Sequence, residues 1–142
     1  LKNSIESLSP QAEQKDISII ADNLTSDCNI KGDAHLLERA VNNLIDNAVR
    51  HTPSGGEIFV TCNRDETCVT FMIQDTGEGF SEEDFQRVFE PLYRGEASRN
   101  RSTGGAGLGL TISQRIIRQH GGELVVGNHP EGGAFLKGWI PI

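Results

Sequence analysis

The sequence predicts an α/β two-layer sandwich, in which a mixed β-sheet packs against helices on one of its faces. Two segments place apolar residues at the spacing of an amphipathic helix, and several shorter segments show the alternation or β-branched content of strands. A chain of 142 residues is long enough for one domain with a sizeable core and too short for two ordinary domains. We therefore expect one compact unit.

The chain opens with scattered apolar residues followed by Pro10, a pattern typical of the end of a helix that leads into a loop. We interpret residues 1–16 as a helix tail and linker, and residues 17–142 as the domain itself.

A strand, a short extended segment and one long helix are predicted next. The β-branched segment 17–21 predicts the strand, and residues 29–31 form a second short extended segment. Asp33 is a suitable N-cap for the helix that follows. Over residues 34–51 apolar side chains recur at helical spacing, and the pattern ends just before Pro53.

A β-hairpin is predicted by residues 57–63 and 67–74, which alternate apolar and polar positions on either side of a charged turn. A short helix is predicted near residues 82–89. The segment 94–105, rich in Arg, Ser, Asn and Gly, is a loop of a length that is usually functional or disordered.

The last elements are a second amphipathic helix over residues 108–120, stopped by Gly121 and Gly122, and two strands over residues 123–127 and 134–140. Their order with the earlier elements completes the mixed sheet.

Charge and apolar content exclude several classes of partner. A net charge of −7 argues against non-specific binding to nucleic acid or to an anionic membrane surface, because phosphate is held by clustered Lys and Arg. The sequence contains no apolar run long enough to span a bilayer. We expect neither a nucleic-acid partner nor direct membrane insertion.

Three cysteines, an odd count without C-x-x-C spacing, indicate neither a disulfide framework nor a zinc site. A reducing compartment fits this composition. Cys62 and Cys68 can face one another across the predicted hairpin, but free thiols are the favoured interpretation.

Three polar side chains of the 34–51 helix share one shoulder of its apolar stripe. Because each residue advances about 100° around the axis, Asn43, Asn47 and Arg50 lie together at the rim of the core. An amide oxygen suits Mg²⁺, which takes one or two protein ligands besides phosphates and water. Arg50 can contact a phosphate. A helix with polar residues at its boundary explains the same pattern without a ligand.

A carboxylate and two glycines, Asp75, Gly77 and Gly79, follow a predicted strand. A buried carboxylate that accepts from an exocyclic amine forms a charge-assisted bond of about 1.5 to 3 kcal/mol. Such a bond selects adenine, since position 6 of guanine bears an acceptor. The glycines let the backbone pass close to a ring. A glycine-rich turn capped by Asp75 is the alternative.

The glycine-rich segment 104–110 leads directly into the 108–120 helix. Backbone amides at a helix N-terminus bind phosphate, and glycine removes side chains that would block the approach. The segment is not a Walker A loop, because no Gly-Lys-Ser/Thr follows, and its spacing differs from G-x-G-x-x-G. A flexible linker is the alternative.

Together these segments resemble, in order and separation, the catalytic domain of bacterial sensor histidine kinases, which belongs to an ATPase superfamily shared with gyrase and MutL. The resemblance extends over about residues 17–142, and Leu92 departs from it, since the family usually has a second phenylalanine there. The matching segments are residues 43–48 with the N box, 75–79 with the G1 box, 89–94 with the F box, 105–110 with the G2 box and 132–135 with the final glycine box.

This resemblance implies a complete ATP site. Asn47 would ligate Mg²⁺, and Asn43 and Arg50 would contact the phosphates. His51 would flank the nucleotide, and Asp75 would bind the adenine amine in a pocket shaped by glycines. A mobile lid over about residues 80–107 would cover the ATP. The implied ATP-binding residues are Asn43, Asn47, Arg50, His51, Asp75, Gly77, Gly79, Phe80, Tyr93, Arg94, Gly105, Ala106, Gly107, Leu108, Gly109 and Leu110.

The domain would hold Mg-ATP with its γ-phosphate exposed, because phosphoryl transfer is mostly positioning and charge neutralisation. None of His35, His51, His120 and His129 lies in the H-E/D pattern followed by proline that marks the family's phosphoacceptor helix. His120 matches a structural position of the family and His35 is expected at the surface. No catalytic residue is therefore expected within this chain, which alone should not autophosphorylate.

Asn43 stands where relatives that hydrolyse ATP, such as gyrase, carry a water-activating glutamate. The lack of that carboxylate favours a kinase over a hydrolase. Two alternatives stay open: a serine kinase of the anti-sigma-factor type, and a degenerate nucleotide-binding module that only mediates protein contacts. Loss of Asn47 or Asp75 would mark the second alternative, and both residues are present.

The resemblance also implies partners and a location. The acceptor histidine would lie in an upstream dimerisation domain, of which residues 1–16 would be the last helix and linker, and the full-length protein would be a homodimer. A response regulator receiver domain would take the phosphoryl group. The domain would be cytoplasmic, in a protein anchored in the inner membrane.

Overall fold

The computed structural model describes residues 1–24, 28–89 and 109–142. The helices and strands in these parts of the chain, in sequence order, are α1 (Lys2–Gln14), β1 (Ser18–Asp22), α2 (Ala34–His51), β2 (Glu57–Arg64), β3 (Cys68–Asp75), α3 (Glu82–Arg87), α4 (Gly109–Gln119), β4 (Glu123–Asn128) and β5 (Ala134–Pro141).

The five strands form one mixed sheet in the order β1-β2-β3-β5-β4. Only β1 and β2 run parallel, and the other three pairs are antiparallel. The last strand in sequence thus lies between β3 and β4. Since Gln74 pairs with Phe135, the end of β3 lies beside the start of β5. The predicted α/β sandwich with a mixed sheet is confirmed.

The core lies between one face of the sheet and helices α1, α2 and α4. Burying one Leu, Ile or Val side chain in such a core stabilises the fold by about 1.5 to 3 kcal/mol. A buried hydroxyl also joins two helices, because Ser113 Oγ of α4 donates to the carbonyl of Ala40 in α2 over 2.8 Å. The largest fully buried apolar side chains are Leu44, Ile45, Ile58, Val60, Ile73, Ile117 and Leu124.

At both ends of α2, side chains from outside the helix form hydrogen bonds with its terminal backbone groups. At the N-terminus Asp33 Oδ1 accepts from the amide of Leu36 at 3.0 Å, which confirms the predicted cap. At the C-terminus Lys15 Nζ donates to the carbonyls of Val49 and Arg50, each at 2.9 Å. A cation at the negative end of the helix dipole is favourable there, so the residue after α1 fixes the end of α2.

The helix α1 differs from the prediction of a helix tail followed by a loop. It continues through Pro10 to Gln14. Proline removes a backbone donor from the helix, but Leu8 and Ala12 on either side of it are buried in the core beside α2. Their burial outweighs the lost hydrogen bond.

The short extended segment expected at residues 29–31 joins none of the five strands of the sheet, and Ile30 packs its half-buried side chain against the core. The remaining predicted strands and the 34–51 helix agree with the structure to within one residue at each end, and the short 82–89 helix ends at Arg87. Residue 108, where the last helix was expected to begin, lies outside the described residues.

The cysteines are free thiols, as predicted. Cys62 and Cys68 do not face one another, because Phe71 is the partner of Cys62 in the β2–β3 register. The thiol of Cys28 instead contacts that of Cys62, and burial together with this contact raises the pKa of Cys62 to about 12.

Candidate functional site

A buried carboxylate lies at the carboxyl end of β3. Asp75 is 5% exposed, and its Oδ1 accepts from the amide of Gly77 at 2.8 Å and from the amide of Ala134 at 3.2 Å. Within residues 1–24, 28–89 and 109–142, both side-chain hydrogen bonds of Asp75 end on Oδ1. Its Oδ2 accepts no hydrogen bond from these described residues.

Glycine is required on both sides of this carboxylate. A Cβ added at Gly77 would collide with the carbonyl oxygen of His51, at the end of α2. A Cβ added at Gly133 would collide with the carbonyl oxygen of Asp75, and Gly133 also has a φ of +86°. The chain segments after β3 and before β5 thus pack backbone to backbone around Asp75.

Asn128, at the end of β4, holds the next part of the loop after β3. Its Oδ1 accepts from the Phe80 amide at 2.7 Å, and its Nδ2 donates to the Phe80 carbonyl at 2.7 Å. Gly79, with a φ of +82°, lies directly against this side chain. The sequence analysis missed Asn128, because no local pattern links a polar residue at a strand end to a loop 48 residues earlier.

The polar residues of α2 that are predicted to line a pocket differ in exposure. Asn43 and Asn47 are half-buried, and Arg50 is exposed. Gly109, the first residue of α4, is so close to Asn43 that a Cβ added there would lie 3.8 Å from the Asn43 Cβ. The structure therefore brings the end of the predicted G2 box against the predicted N box.

Arg50 engages its own helix, because its Nη2 lies 2.9 Å from Asp46 Oδ2, one turn earlier. The two side chains are 42% and 32% exposed, so water screens this ion pair and it contributes little to stability.

Several predicted site residues lie outside the described residues, namely Tyr93, Arg94, Gly105, Ala106, Gly107 and Leu108. The F box position Leu92 lies there too, as does most of the predicted lid. The described residues that flank positions 90–108 are joined by a hydrogen bond. Thr111 Oγ1, in the first turn of α4, donates to the carbonyl of Phe89 over 2.7 Å. The buried Leu110 packs into the core beside Thr111.

The donors at this site fit magnesium only together with a nucleotide. Among the described residues, no group of three His, Cys, Asp or Glu side chains could hold a metal ion. The half-buried amide of Asn47 supplies one neutral oxygen. That is enough for an ion that takes its remaining ligands from phosphates and water.

One histidine links two helices of the domain. The Nδ1 of His120 lies 2.7 Å from the carbonyl of Ile116, and its Nε2 accepts from the amide of Asp33 at 3.1 Å. This ring therefore ties the end of α4 to the start of α2, a structural role. His35 is exposed, as predicted.

Two other carboxylates have lowered pKa values, Asp65 in a turn and Glu123 at the start of β4. The pKa of Asp65, in the β2–β3 turn, is lowered to about 2, chiefly by the hydrogen bond from the Thr67 amide. Hydrogen bonding from Arg118 lowers the pKa of Glu123.

In the described parts of the chain, no helix is long and apolar enough to cross a membrane.

Comparison with known proteins places this architecture in a family. The sequence profile of the histidine kinase-, DNA gyrase B-, and HSP90-like ATPase family matches residues 32–142. The chain is 36% identical over 111 residues to the signal transduction histidine-protein kinase BaeS of Escherichia coli K12, covering 78% of this chain and 24% of BaeS. It is 39% identical over 126 residues to the sensor histidine kinase SpaK of Bacillus subtilis, covering 89% of this chain and 27% of SpaK. The chain thus spans about a quarter of the length of these relatives.

Solved structures share the fold. The catalytic domain of histidine kinase ThkA superposes with a TM-score of 0.85 at 23% identity, covering 99% of this chain and 90% of that one. ThkA has also been solved in complex with the response regulator protein TrrA. Full-length ShkA in complex with AMPPNP superposes with a TM-score of 0.82 at 30% identity, covering 99% of this chain and 28% of ShkA.

The profile match covers most of the chain, and the two relatives named above are histidine kinases. The chain belongs to the histidine kinase-, DNA gyrase B-, and HSP90-like ATPase family and corresponds to the ATP-binding catalytic domain of sensor histidine kinases.

Proposed function

We propose that this domain binds Mg-ATP and holds the γ-phosphate exposed for transfer to a histidine in a separate dimerisation domain. The observation that carries the proposal is the carboxylate of Asp75. It is buried, two backbone amides hold its Oδ1, and its Oδ2 is left for a donor. The exocyclic amine of adenine is such a donor, whereas guanine would bring an acceptor against the charge.

The adenine pocket in this proposal is formed by backbone. Gly77 and Gly79 let the backbone after β3 pack closely against His51 and Asn128, and this backbone, with Phe80 after it, would line one side of the adenine ring. His51, whose carbonyl contacts Gly77, would flank the nucleotide. The complex of ShkA with AMPPNP, an adenine nucleotide, supports a site of this kind in the family.

The phosphates would lie between the N-terminus of α4 and the polar shoulder of α2. Asn43 and Arg50 would contact them, and Asn47 would hold Mg²⁺, which neutralises phosphate charge when bound. Gly109 and Leu110 would face the phosphates from the first turn of α4. The remaining proposed contacts, from the lid, are Tyr93, Arg94, Gly105, Ala106, Gly107 and Leu108.

This chain would prepare the nucleotide rather than react with it. Asn43 stands at the position of the general base in relatives that hydrolyse ATP, and an amide cannot activate water. The histidines lie outside the phosphoacceptor pattern. The acceptor would therefore come from the dimerisation domain of its own homodimeric protein, and residues 1–16 would link the two. Phosphate from γ-labelled ATP should not enter the isolated chain, and its incorporation would contradict this part of the proposal.

The receiver domain of a response regulator would be the next partner, in keeping with the complex of ThkA and TrrA. The domain would face the cytoplasm in a membrane-anchored protein. No nucleic-acid partner is proposed, since the net charge is −7.

Calorimetric titration of Mg-ATP and Mg-GTP into the wild type, Asp75→Asn and the control Asp22→Asn tests the adenine site. Asp22 is an exposed aspartate on the edge strand β1, so its variant makes the same chemical change away from the site. We expect the wild type to prefer ATP, and Asp75→Asn to bind ATP about 10- to 100-fold more weakly. Equal affinity for the two nucleotides, or Asp75→Asn binding like the wild type, would contradict the assignment.

A further inference from the structure

Asn128 lies close to the proposed nucleotide site without belonging to any of its motifs. It is the last residue of β4, and it pairs with Ala134, the first residue of β5. The amide of Ala134 also donates to Asp75. One end of the β4–β5 turn therefore holds the carboxylate, and the other end carries Asn128.

The side chain of Asn128 binds the Phe80 backbone as a neighbouring strand would. The amide oxygen accepts from the Phe80 N–H and the amide nitrogen donates to the Phe80 carbonyl, each over 2.7 Å. Both backbone groups of one residue are thus satisfied by one side chain. A carboxylate could only accept, and an alanine could do neither.

The residue held in this way stands between the pocket and the next helix. Upstream, Gly79 turns with a φ of +82°, and a Cβ there would lie only 2.7 Å from Asn128 Oδ1. Downstream, Ser81 caps α3 by accepting from the amide of Asp84 at 3.1 Å. The hydrogen bonds between Asn128 and Phe80 therefore fix the path of the chain from Asp75 to α3.

We propose that Asn128 is a positioning residue for nucleotide binding: it fixes the Gly79–Phe80 peptide so that the backbone wall beside Asp75 is formed before the nucleotide arrives. The inference rests on the proposed function. Asn128 acts through the backbone of Phe80 and does not itself touch the nucleotide. Without the Asn128 side chain, the backbone of Gly79 and Phe80 would have to become ordered when the nucleotide binds. That ordering costs free energy and weakens the affinity for the nucleotide.

The test compares Asn128→Ala, Asn128→Asp and the control Asn63→Ala, since Asn63 is an exposed asparagine on β2. Dissociation constants for Mg-ATP are measured by calorimetry well below each unfolding midpoint, where all variants are folded. Hydrogen exchange of the Phe80 amide is followed on the same samples. We expect Asn128→Ala to weaken ATP binding about tenfold and to speed Phe80 exchange. The Asp variant, which keeps the acceptor, should fall between Ala and wild type, and Asn63→Ala should match the wild type.

A variant with a lower unfolding midpoint but wild-type affinity would show that Asn128 only stabilises the fold, and would overturn the proposal. Equal losses for Asn128→Ala and Asn63→Ala would also overturn it. If Asn128→Ala does not fold, Asn128→Asp decides, and wild-type affinity in that variant contradicts the inference. Absence of ATP binding by the wild type would overturn the proposed function and this inference together, whereas the other outcomes leave the proposed function intact.

Discussion

The backbone amide of Ala134 donates to Asp75 Oδ1 over 3.2 Å, joining two residues that are 59 positions apart in the chain. The bond requires β5 to lie directly beside the end of β3. Gly133 makes this approach possible, because its missing side chain leaves room for the Asp75 carbonyl.

Gly133→Ala should therefore damage both the fold and the site. The new methyl group would collide with the Asp75 backbone, at a residue whose φ of +86° already disfavours a side chain. We expect the free energy of unfolding to fall by about 2 to 4 kcal/mol, measured by urea denaturation, and Mg-ATP binding to weaken. Gly132→Ala is the matched control, since Gly132 has a φ of +105° but open space around it. If the two variants lose equal stability, backbone strain alone explains the effect and the contact with Asp75 does not matter.

Lys15→Met should destabilise the end of α2. The substitution keeps most of the aliphatic stem but removes the ammonium that donates to Val49 and Arg50. We expect a loss of about 1 to 2 kcal/mol in the free energy of unfolding. Lys31→Met, at an exposed lysine in the loop before α2, provides the comparison and should change stability by less than about 0.5 kcal/mol. A Lys15 variant as stable as the Lys31 variant would show that the two hydrogen bonds are balanced by hydration.

Ser113→Ala should loosen the contact between α2 and α4. Ser113 is fully buried, and its hydroxyl donates to the Ala40 carbonyl, which would be left without this donor. The expected cost is about 1 kcal/mol, read from thermal or urea unfolding. Ser54→Ala, at an exposed serine after α2, should be close to neutral. Wild-type stability in Ser113→Ala would mean that the packing of the two helices does not depend on this bond.

Asp65→Asn should change how the stability of the fold depends on pH in the acidic range. The pKa of Asp65 is lowered from 3.8 to about 2, because the folded turn donates to the carboxylate from the Thr67 amide, the Thr67 hydroxyl and the Cys68 amide. A lowered pKa means that the folded state favours the charged form. The contribution is therefore complete above the unfolded pKa of 3.8 and is lost as the pH falls towards 2.

Unfolding midpoints of the wild type and Asp65→Asn, measured from neutral pH down to about pH 2, test this expectation. The wild type should be more stable at neutral pH, and the two curves should approach one another as Asp65 becomes protonated. Glu66→Gln changes a carboxylate of the same turn whose side chain is exposed, and controls for the change in net charge. A difference that stays constant across this range would show that the carboxylate charge contributes nothing.

Elements whose signals lie close together in the sequence were predicted correctly. The α2 helix was predicted at residues 34–51, as observed, because its N-cap, its apolar period and its terminating proline all lie within or next to the helix. The β2–β3 hairpin was predicted for the same reason. Since the motif segments have characteristic order and spacing, the family also followed from sequence and was confirmed by the profile match.

The way in which these elements pack together became visible in the folded chain. Local patterns did not indicate that β5 enters the sheet between β3 and β4, and this order is what brings Ala134 to Asp75. The contacts of Asn128 with Phe80 and of Lys15 with Val49 likewise join residues 48 and 34 positions apart.

The physical reason is that such bonds depend on packing rather than on neighbouring sequence. A polar side chain at a strand end bonds to whichever backbone the fold brings within reach, and no local period records that choice. Burial can also override local signals. It carries α1 through Pro10, and it lets Ile30 pack into the core without a strand.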